Sequence, residues 1–90
     1  MNSVITGGYK LITATGNVSP IGTDLLGIFV SAASSTPTIT IYDSATTTTT
    51  AKVVETFTPA AATYYTIPAS VASGLYIVIG GTVSATVFFG

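Results

Sequence analysis

Few groups in this chain of 90 residues are able to do acid–base or metal chemistry. Its carboxylates are Asp24, Asp43 and Glu55, its cations are Lys10 and Lys52, and arginine, histidine and cysteine are absent. General acid–base catalysis draws on histidine or on a carboxylate pair held close together. The spacing of the three carboxylates brings no two of them side by side. We therefore predict no catalytic residues and no enzyme activity.

The residue types also predict no metal or cofactor site. Zinc is bound by cysteine and histidine, and the chain has neither. Calcium takes carboxylate and carbonyl oxygens, so a site built by Asp24 and Asp43 is the alternative, although no loop is rich in aspartate. The two Gly-Gly pairs precede no helix and do not indicate a phosphate-binding loop. A serine activated by a lysine is the remaining way in which the chain could do covalent catalysis. We interpret both lysines as surface charges and not as catalytic bases.

The low charge restricts the partners as well. Charged residues make up 6% of the chain, against about a quarter in a typical soluble domain, and the net charge is −1. Two isolated lysines give no footprint for nucleic acid or for an acidic membrane. A small fold without disulfides commonly gains stability by association. We expect the chain to bind copies of itself or a larger protein body.

The N-terminal segment predicts the compartment in which the chain folds. Residues 1–8 have neither a positively charged region nor a long apolar core, so no secretion signal is predicted. The longest apolar stretch, residues 25–33, is shorter than the roughly 18 residues that a spanning helix needs. We therefore expect the chain to fold in the cytoplasm where it is made.

Short β-rich runs, separated by Gly, Pro, Ser and Thr clusters, fill the rest of the sequence. Val, Ile, Thr, Tyr and Phe suit a pleated surface, and the prolines fall between the runs. The predicted strands are Tyr9–Ala14, Asn17–Ser19, Leu25–Ala32, Thr38–Asp43, Lys52–Thr58, Thr63–Ile67, Leu75–Ile79 and Val83–Phe89. We predict one all-β domain over residues 1–90, with residues 1–8 as an N-terminal arm, folded as a compact eight-stranded antiparallel sandwich of jelly-roll-like character.

The C-terminal runs predict a hairpin. The aliphatic faces of residues 75–79 and 83–89 match only across a loop of odd length, because a slip of one residue reverses the faces. A three-residue loop, Ile79-Gly80-Gly81, with Gly81 left-handed in a bulge, would pair Ile77 with Val83.

Aromatic side chains opposite the aliphatic faces are the candidate interface. An apolar cluster that points outward on a small protein often marks a contact surface. Adjacent strand residues face opposite ways, so one ring of the Tyr64-Tyr65 pair should point outward. A loop of the same chain that covers the cluster is the alternative. The candidate interface residues are Tyr76, Val78, Phe88, Tyr64, Tyr65 and Tyr42.

We interpret the run Thr46–Thr50 as a solvated loop rather than as a glycosylation or ice-binding site.

Turn and strand motifs along nearly the whole chain resemble those of small tailed-phage virion proteins. The motifs are Gly7-Gly8-Tyr9, Thr15-Gly16, Leu26-Gly27-Ile28-Phe29-Val30-Ser31, Thr38-Ile39-Thr40-Ile41-Tyr42-Asp43, Phe57-Thr58-Pro59-Ala60-Ala61-Ala62-Thr63-Tyr64-Tyr65, Ile67-Pro68, Gly74-Leu75-Tyr76 and Gly80-Gly81-Thr82. The resemblance implies a capsid decoration or cement protein without catalytic residues.

The resemblance also implies the partners and the location. The expected partners are the major capsid protein and further copies of the chain, with a trimer preferred because capsid lattices offer three-fold sites. The expected location is the capsid surface of the virion, after synthesis in the host cytoplasm. Two alternatives stay open: a tail, neck or fibre component of the virion, and a surface adhesin or pilus-like subunit outside phage.

Overall fold

The computed structural model describes residues 8–90, which form six β-strands and no helix. The strands are β1 (Gly8–Ile12), β2 (Gly16–Ser19), β3 (Thr23–Asp43), β4 (Lys52–Phe57), β5 (Thr63–Val71) and β6 (Leu75–Phe89). The all-β class predicted from the sequence is confirmed. The predicted N-terminal arm lies outside the described residues except for Gly8, which begins β1.

All six strands belong to one antiparallel sheet that is built around β3 and β6. These two long strands pair with each other from Leu25 opposite Phe89 to Asp43 opposite Leu75. The other edge of β6 pairs with β1 and β2, and the other edge of β3 pairs with β5 and β4. Two central strands therefore carry four short edge strands, two on each side.

The predicted C-terminal hairpin is wrong, because β6 is one continuous strand. Ile77 pairs with Ile41 of β3, and Val83 pairs with Ala33 of the same strand. Gly81 is left-handed as predicted, with a φ of 69°, but it bends β6 instead of reversing it. The aliphatic residues on the two sides of the glycines are matched by aliphatic residues of β3 and not by each other.

β3 bends opposite Gly81. Residues 35–37 of β3 face Gly81 alone, so β3 carries a bulge there, and Ser35 and Thr36 have positive φ values of 58° and 53°. A Cβ atom at Gly81 would lie too close to the carbonyl oxygens of both residues. A straight strand of 21 residues would be about 70 Å long, whereas the longest dimension of the molecule is 43 Å. β3 and β6 therefore turn a shared corner.

This corner explains why eight separate strands are not found. The predicted strands 25–32 and 38–43 are the two halves of β3, and the predicted strands 75–79 and 83–89 are the two halves of β6. Glycine and proline near the corner resemble turn signals in the sequence, but the backbone pairing continues past them.

One hydrophobic cluster joins residues from both sides of the corner. Its fully buried members lie on both sides of Gly81. Ile28 and Val30 of β3 pair with Val87 and Ala85 of β6 on one side, together with Val83, and the other side supplies Ile39, Ile41, Leu75 and Ile77. The aliphatic faces that the sequence shows in residues 39–41, 75–79 and 83–89 supply most of this core, as predicted. Alternation with period two made that prediction possible.

Candidate interaction surface

Asp43, the last residue of β3, binds the turn that precedes β6. Its carboxylate accepts N–H bonds from Ser73 (2.8 Å), Ala72 (3.1 Å) and Gly74 (3.3 Å). These bonds, that of Ser73 above all, hold the pKa of Asp43 below its ordinary value of 3.8. The carboxylate therefore caps the turn formed by residues 72–74.

The threonine run begins from a similar local network. Ser44 Oγ accepts the backbone N–H groups of Thr46 and Thr48, both at 3.1 Å. The side-chain amide of Asn17 donates to the carbonyl oxygens of Ser44 (3.0 Å) and Thr46 (3.2 Å). Residues 46–50 are exposed beyond these bonds, which agrees with the prediction of a solvated loop.

The other two carboxylates also bind close neighbours. Glu55 accepts a hydrogen bond from Lys52 Nζ at 2.7 Å, and this contact lowers the pKa of Glu55 and raises that of Lys52. Asp24 accepts a hydrogen bond from the hydroxyl of Ser70 at 2.9 Å. Within residues 8–90, no three acidic, histidine or cysteine side chains are grouped so that they could hold a metal ion.

The outward side of β1, β6, β3 and β5 carries a different kind of surface. Strand register aligns one row of side chains across all four strands and a second row beside it. The rows are Leu11, Thr86, Phe29 and Tyr64, and then Tyr9, Phe88, Gly27 and Thr66. We call these eight residues the aromatic face. In β3 and β6 its members alternate with the core residues Ile28, Val30, Ala85 and Val87, so the face points away from the core.

The aromatic face has no charged residue, and most of its large side chains are apolar and exposed. The exposed fractions are 74% for Tyr9, 60% for Leu11, 48% for Tyr64 and 38% for Phe29. Phe88 lies among them, half-buried, and contacts Tyr64 edge-to-face with ring centroids 6.2 Å apart. Four exposed large hydrophobic side chains on one side of a sheet form a patch of the kind that binds other molecules.

Two of the predicted interface residues, Tyr64 and Phe88, lie together in the aromatic face. Tyr65 points to the opposite side, as strand alternation predicts, and packs on Phe57 with ring centroids 5.2 Å apart. Its hydroxyl accepts the N–H of Ala60 at 2.8 Å. Tyr65 therefore supports the edge of the core and does not belong to the aromatic face.

The prediction that Tyr76 is part of an exposed cluster is corrected, because Tyr76 is only 8% exposed. It lies in a row between Asn17 and Tyr42, and its ring centroid is 6.1 Å from that of Tyr42. Val78 lies beside this row and is half-buried. Asn17 also holds the beginning of the threonine run, so residues of the same chain surround Tyr76, as in the alternative given above.

Tyr9, Leu11 and Phe29 belong to the aromatic face but were not predicted as interface residues. Alternation could have found Phe29, which lies between the core residues Ile28 and Val30. In β1 alternation misleads, because Tyr9 and Leu11 flank Lys10 and would be assigned to the core side. Only their pairing with Phe88 and Thr86 of β6 places them in the aromatic face. Apolar residues on the outward side of a strand are unusual enough to mark a contact surface.

The strands at the sheet edges carry residues that oppose pairing with further strands. Lys10 lies in β1 on the side opposite the aromatic face, Pro68 lies in β5, and the Lys52–Glu55 ion pair lies in β4. Charges and prolines on edge strands prevent the addition of another strand. Contact through the aromatic face is therefore favoured over contact through an edge.

No family model, no curated protein and no solved structure matches this chain. In the part of the chain that the structure describes, no helix is long and apolar enough to cross a membrane.

Proposed function

We propose that this chain is a structural protein of a phage virion, of the capsid decoration or cement type, which binds the shell of major capsid protein and stabilises the head. The observation that supports this function is the aromatic face, with exposed fractions of 38–74% for its four most open apolar side chains and no charged group among them. A surface of this kind is suited to being covered by protein. Ser and Thr around it make hydrogen bonds without the desolvation cost that buried ions carry.

The strength of one contact is limited by the size of the patch. The exposed parts of its four open side chains amount to roughly 500 Å². Burial of that area is worth about 12 kcal/mol before costs, and association itself costs about 4–15 kcal/mol. A single contact is therefore weak. Repetition over a symmetric shell supplies the remaining affinity through avidity.

We also propose that the bent sheet forms a compact sandwich of jelly-roll-like character. The corner in β3 and β6 and the single cluster that joins residues from both sides of it support this arrangement. Each long strand then contributes one half to each layer. When the two halves of each long strand are counted separately, the six strands become eight segments, the number of strands in a jelly roll. The two layers would pack about 10 Å apart.

Virions that lack the protein test the function. We expect their heads to lose stability under heat or chelation, and electron microscopy should show filled, tailed particles that lack an outer density. Heads of normal stability with missing or defective tails would contradict decoration and indicate a tail, neck or fibre component. Export of the protein from the cell that makes it would indicate a surface adhesin.

Adding purified protein back to these virions tests the surface. Leu11→Asp places a charge in the aromatic face, at a side chain that is 60% exposed. Ile21→Asp is the matched control, because Ile21 is 70% exposed and lies between β2 and β3, outside the aromatic face. We expect the control to restore head stability and Leu11→Asp to fail. Equal rescue by both variants would contradict a role of the aromatic face.

A further inference from the structure

We propose that the aromatic face binds the same face of a second copy of this chain, so that the protein is a two-fold dimer. This inference names the partner of the surface on which the proposed function rests. The aromatic face would then serve the proposed function by building the dimer, which attaches to the shell at two equivalent points. Leu11→Asp would fail to restore head stability because it removes the dimer.

The charge of the aromatic face agrees with a second copy as the partner. None of the eight residues of the face is charged. A partner that placed a charge against it would leave that charge buried and unpaired, which is costly. A second copy presents an equally uncharged surface of the same size. Lys10, the charged residue nearest in sequence, points to the other side of β1 and binds the carbonyl oxygen of Asn17 at 3.2 Å.

The area of the face is close to what a specific dimer needs. Its four open side chains expose roughly 500 Å², and Phe88, Thr66 and Thr86 add to this. Specific interfaces begin at about 1,200 Å² in total, or roughly 600 Å² on each partner. The aromatic face therefore comes close to supplying one half of a small specific interface.

The relief of the face permits two copies to interlock. Thr86 lies between Leu11 and Phe29 in the first row, so a short side chain is flanked by two longer ones. In the second row Gly27 has no side chain, and the ring of Tyr64 covers its backbone. Packed sheets place side chains of one face into such depressions of the other, with the sheets about 10 Å apart. In a two-fold dimer the depression at Thr86 of each copy would receive a large side chain of the other.

The sheet edges support the same arrangement. Pro68 in β5 and the Lys52–Glu55 pair in β4 oppose strand addition at one edge, and Lys10 opposes it at the other. The trimer expected from the three-fold sites of capsid lattices would need the aromatic face to bind a different surface of the next copy. A two-fold dimer needs only the face itself.

Sedimentation velocity and light scattering, measured from micromolar to millimolar concentration, test the dimer. We expect a dimer for the wild-type chain and for Ile21→Asp, and at least a tenfold higher dimer Kd for Leu11→Asp and Tyr9→Asp. Far-UV circular dichroism and thermal melting check that each variant is folded. If an aspartate variant fails to fold, Leu11→Ser, which removes the apolar side chain without adding a charge, takes its place with the same expectation.

A wild-type chain that stays monomeric at millimolar concentration, or forms a trimer, would overturn the inference. So would a dimer that Leu11→Asp, Tyr9→Asp or Leu11→Ser leaves intact. The proposed function is tested separately by sedimentation with shells that lack the protein. A monomer that binds these shells would refute the dimer and leave the function standing, whereas a dimer that ignores them would refute the function and leave the dimer standing.

Discussion

The ring of Tyr64 in β5 lies over the backbone of Gly27 in β3. A Cβ atom at Gly27 would overlap the phenol oxygen of Tyr64 and would lie 2.7 Å from the carbonyl oxygen of Tyr65. Because glycine occupies this position, the ring is able to lie down across the sheet and meet Phe88 edge-to-face. Gly27 therefore determines the shape of the aromatic face as well as the spacing of two strands.

We expect Gly27→Ala to destabilise the protein by about 1–3 kcal/mol, the usual cost of overpacking. The hydroxyl of Tyr64 is able to move, but the carbonyl oxygen of Tyr65 is backbone and is paired in the sheet. Urea unfolding measures the loss. Gly16→Ala is the matched control, since the nearest atom to its Cβ, the carbonyl oxygen of Ala14, is 4.0 Å away. Equal stability of the two variants would contradict the close approach at Gly27.

The core could be predicted from the sequence, but the path of the chain around the corner could not. Ile39 and Ile41 alternate with threonine, and Val83, Ala85 and Val87 alternate with Ser and Thr, so local pattern identifies their buried side. A left-handed Gly81 fits a hairpin turn and a bend equally well when only its neighbours are known. The pairing of β6 with β3 decides between a turn and a bend, and the residues opposite Gly81, 35–37, are more than 40 residues away in the sequence.

The candidate surface could be predicted only in part for the same reason. Phe88 was found because alternation places it opposite the aliphatic face of its strand. Tyr64 was found only as one of the pair Tyr64-Tyr65, of which alternation makes one ring point outward without deciding which. Tyr76 is also on an outward side, but Asn17 and Tyr42 lie on either side of it and it is buried. Which residues flank a side chain across strands depends on register, and register follows from pairing that no single segment contains.

We expect Tyr76→Ala and Tyr64→Ala to separate the two tyrosines. Tyr76 is 8% exposed and Tyr64 is 48% exposed. Removal of a buried ring should cost about 3 kcal/mol, and removal of the half-exposed ring about 1 kcal/mol, because it already contacts water. Urea unfolding at low protein concentration, where association does not contribute, makes the comparison. A larger loss for Tyr64→Ala would show that Tyr76 is not part of the folded interior.

We expect Gly81→Ala to destabilise the protein by more than about 1 kcal/mol. Alanine is strained at a φ of 69°, and its Cβ would collide with the carbonyl oxygens of Ser35 and Thr36. Gly80→Ala is the control, because the atom nearest to its Cβ is the side-chain hydroxyl of Thr38, which is able to rotate. Thermal unfolding of the two variants measures the difference. If Gly81→Ala is no less stable than Gly80→Ala, the corner does not depend on the left-handed glycine.

Acid should weaken the connection between β3 and the turn before β6. The folded-state pKa of Asp43 lies below 3.8, mainly because Ser73 and Ala72 donate backbone hydrogen bonds to the carboxylate. A lowered pKa stabilises the folded state at pH values above the unfolded-state pKa, and this stabilisation is lost as the pH falls through the folded-state pKa. We therefore expect the melting temperature of the wild-type chain to fall below about pH 4.

We expect Asp43→Asn to lower the melting temperature by several degrees at pH 6 and to reduce its dependence on pH below 4. The amide has one acceptor oxygen where the carboxylate has two, and its NH₂ group faces backbone donors. Asp24→Asn is the control at pH 6, because its single bond from Ser70 survives the change. The hydrogen bond from Lys52 also lowers the pKa of Glu55, so acid removes its contribution to stability as well. Its exposed ion pair weakens in high salt, whereas the backbone bonds of Asp43 persist. An acid-induced fall that remains unchanged in Asp43→Asn at high salt would show that another group is responsible.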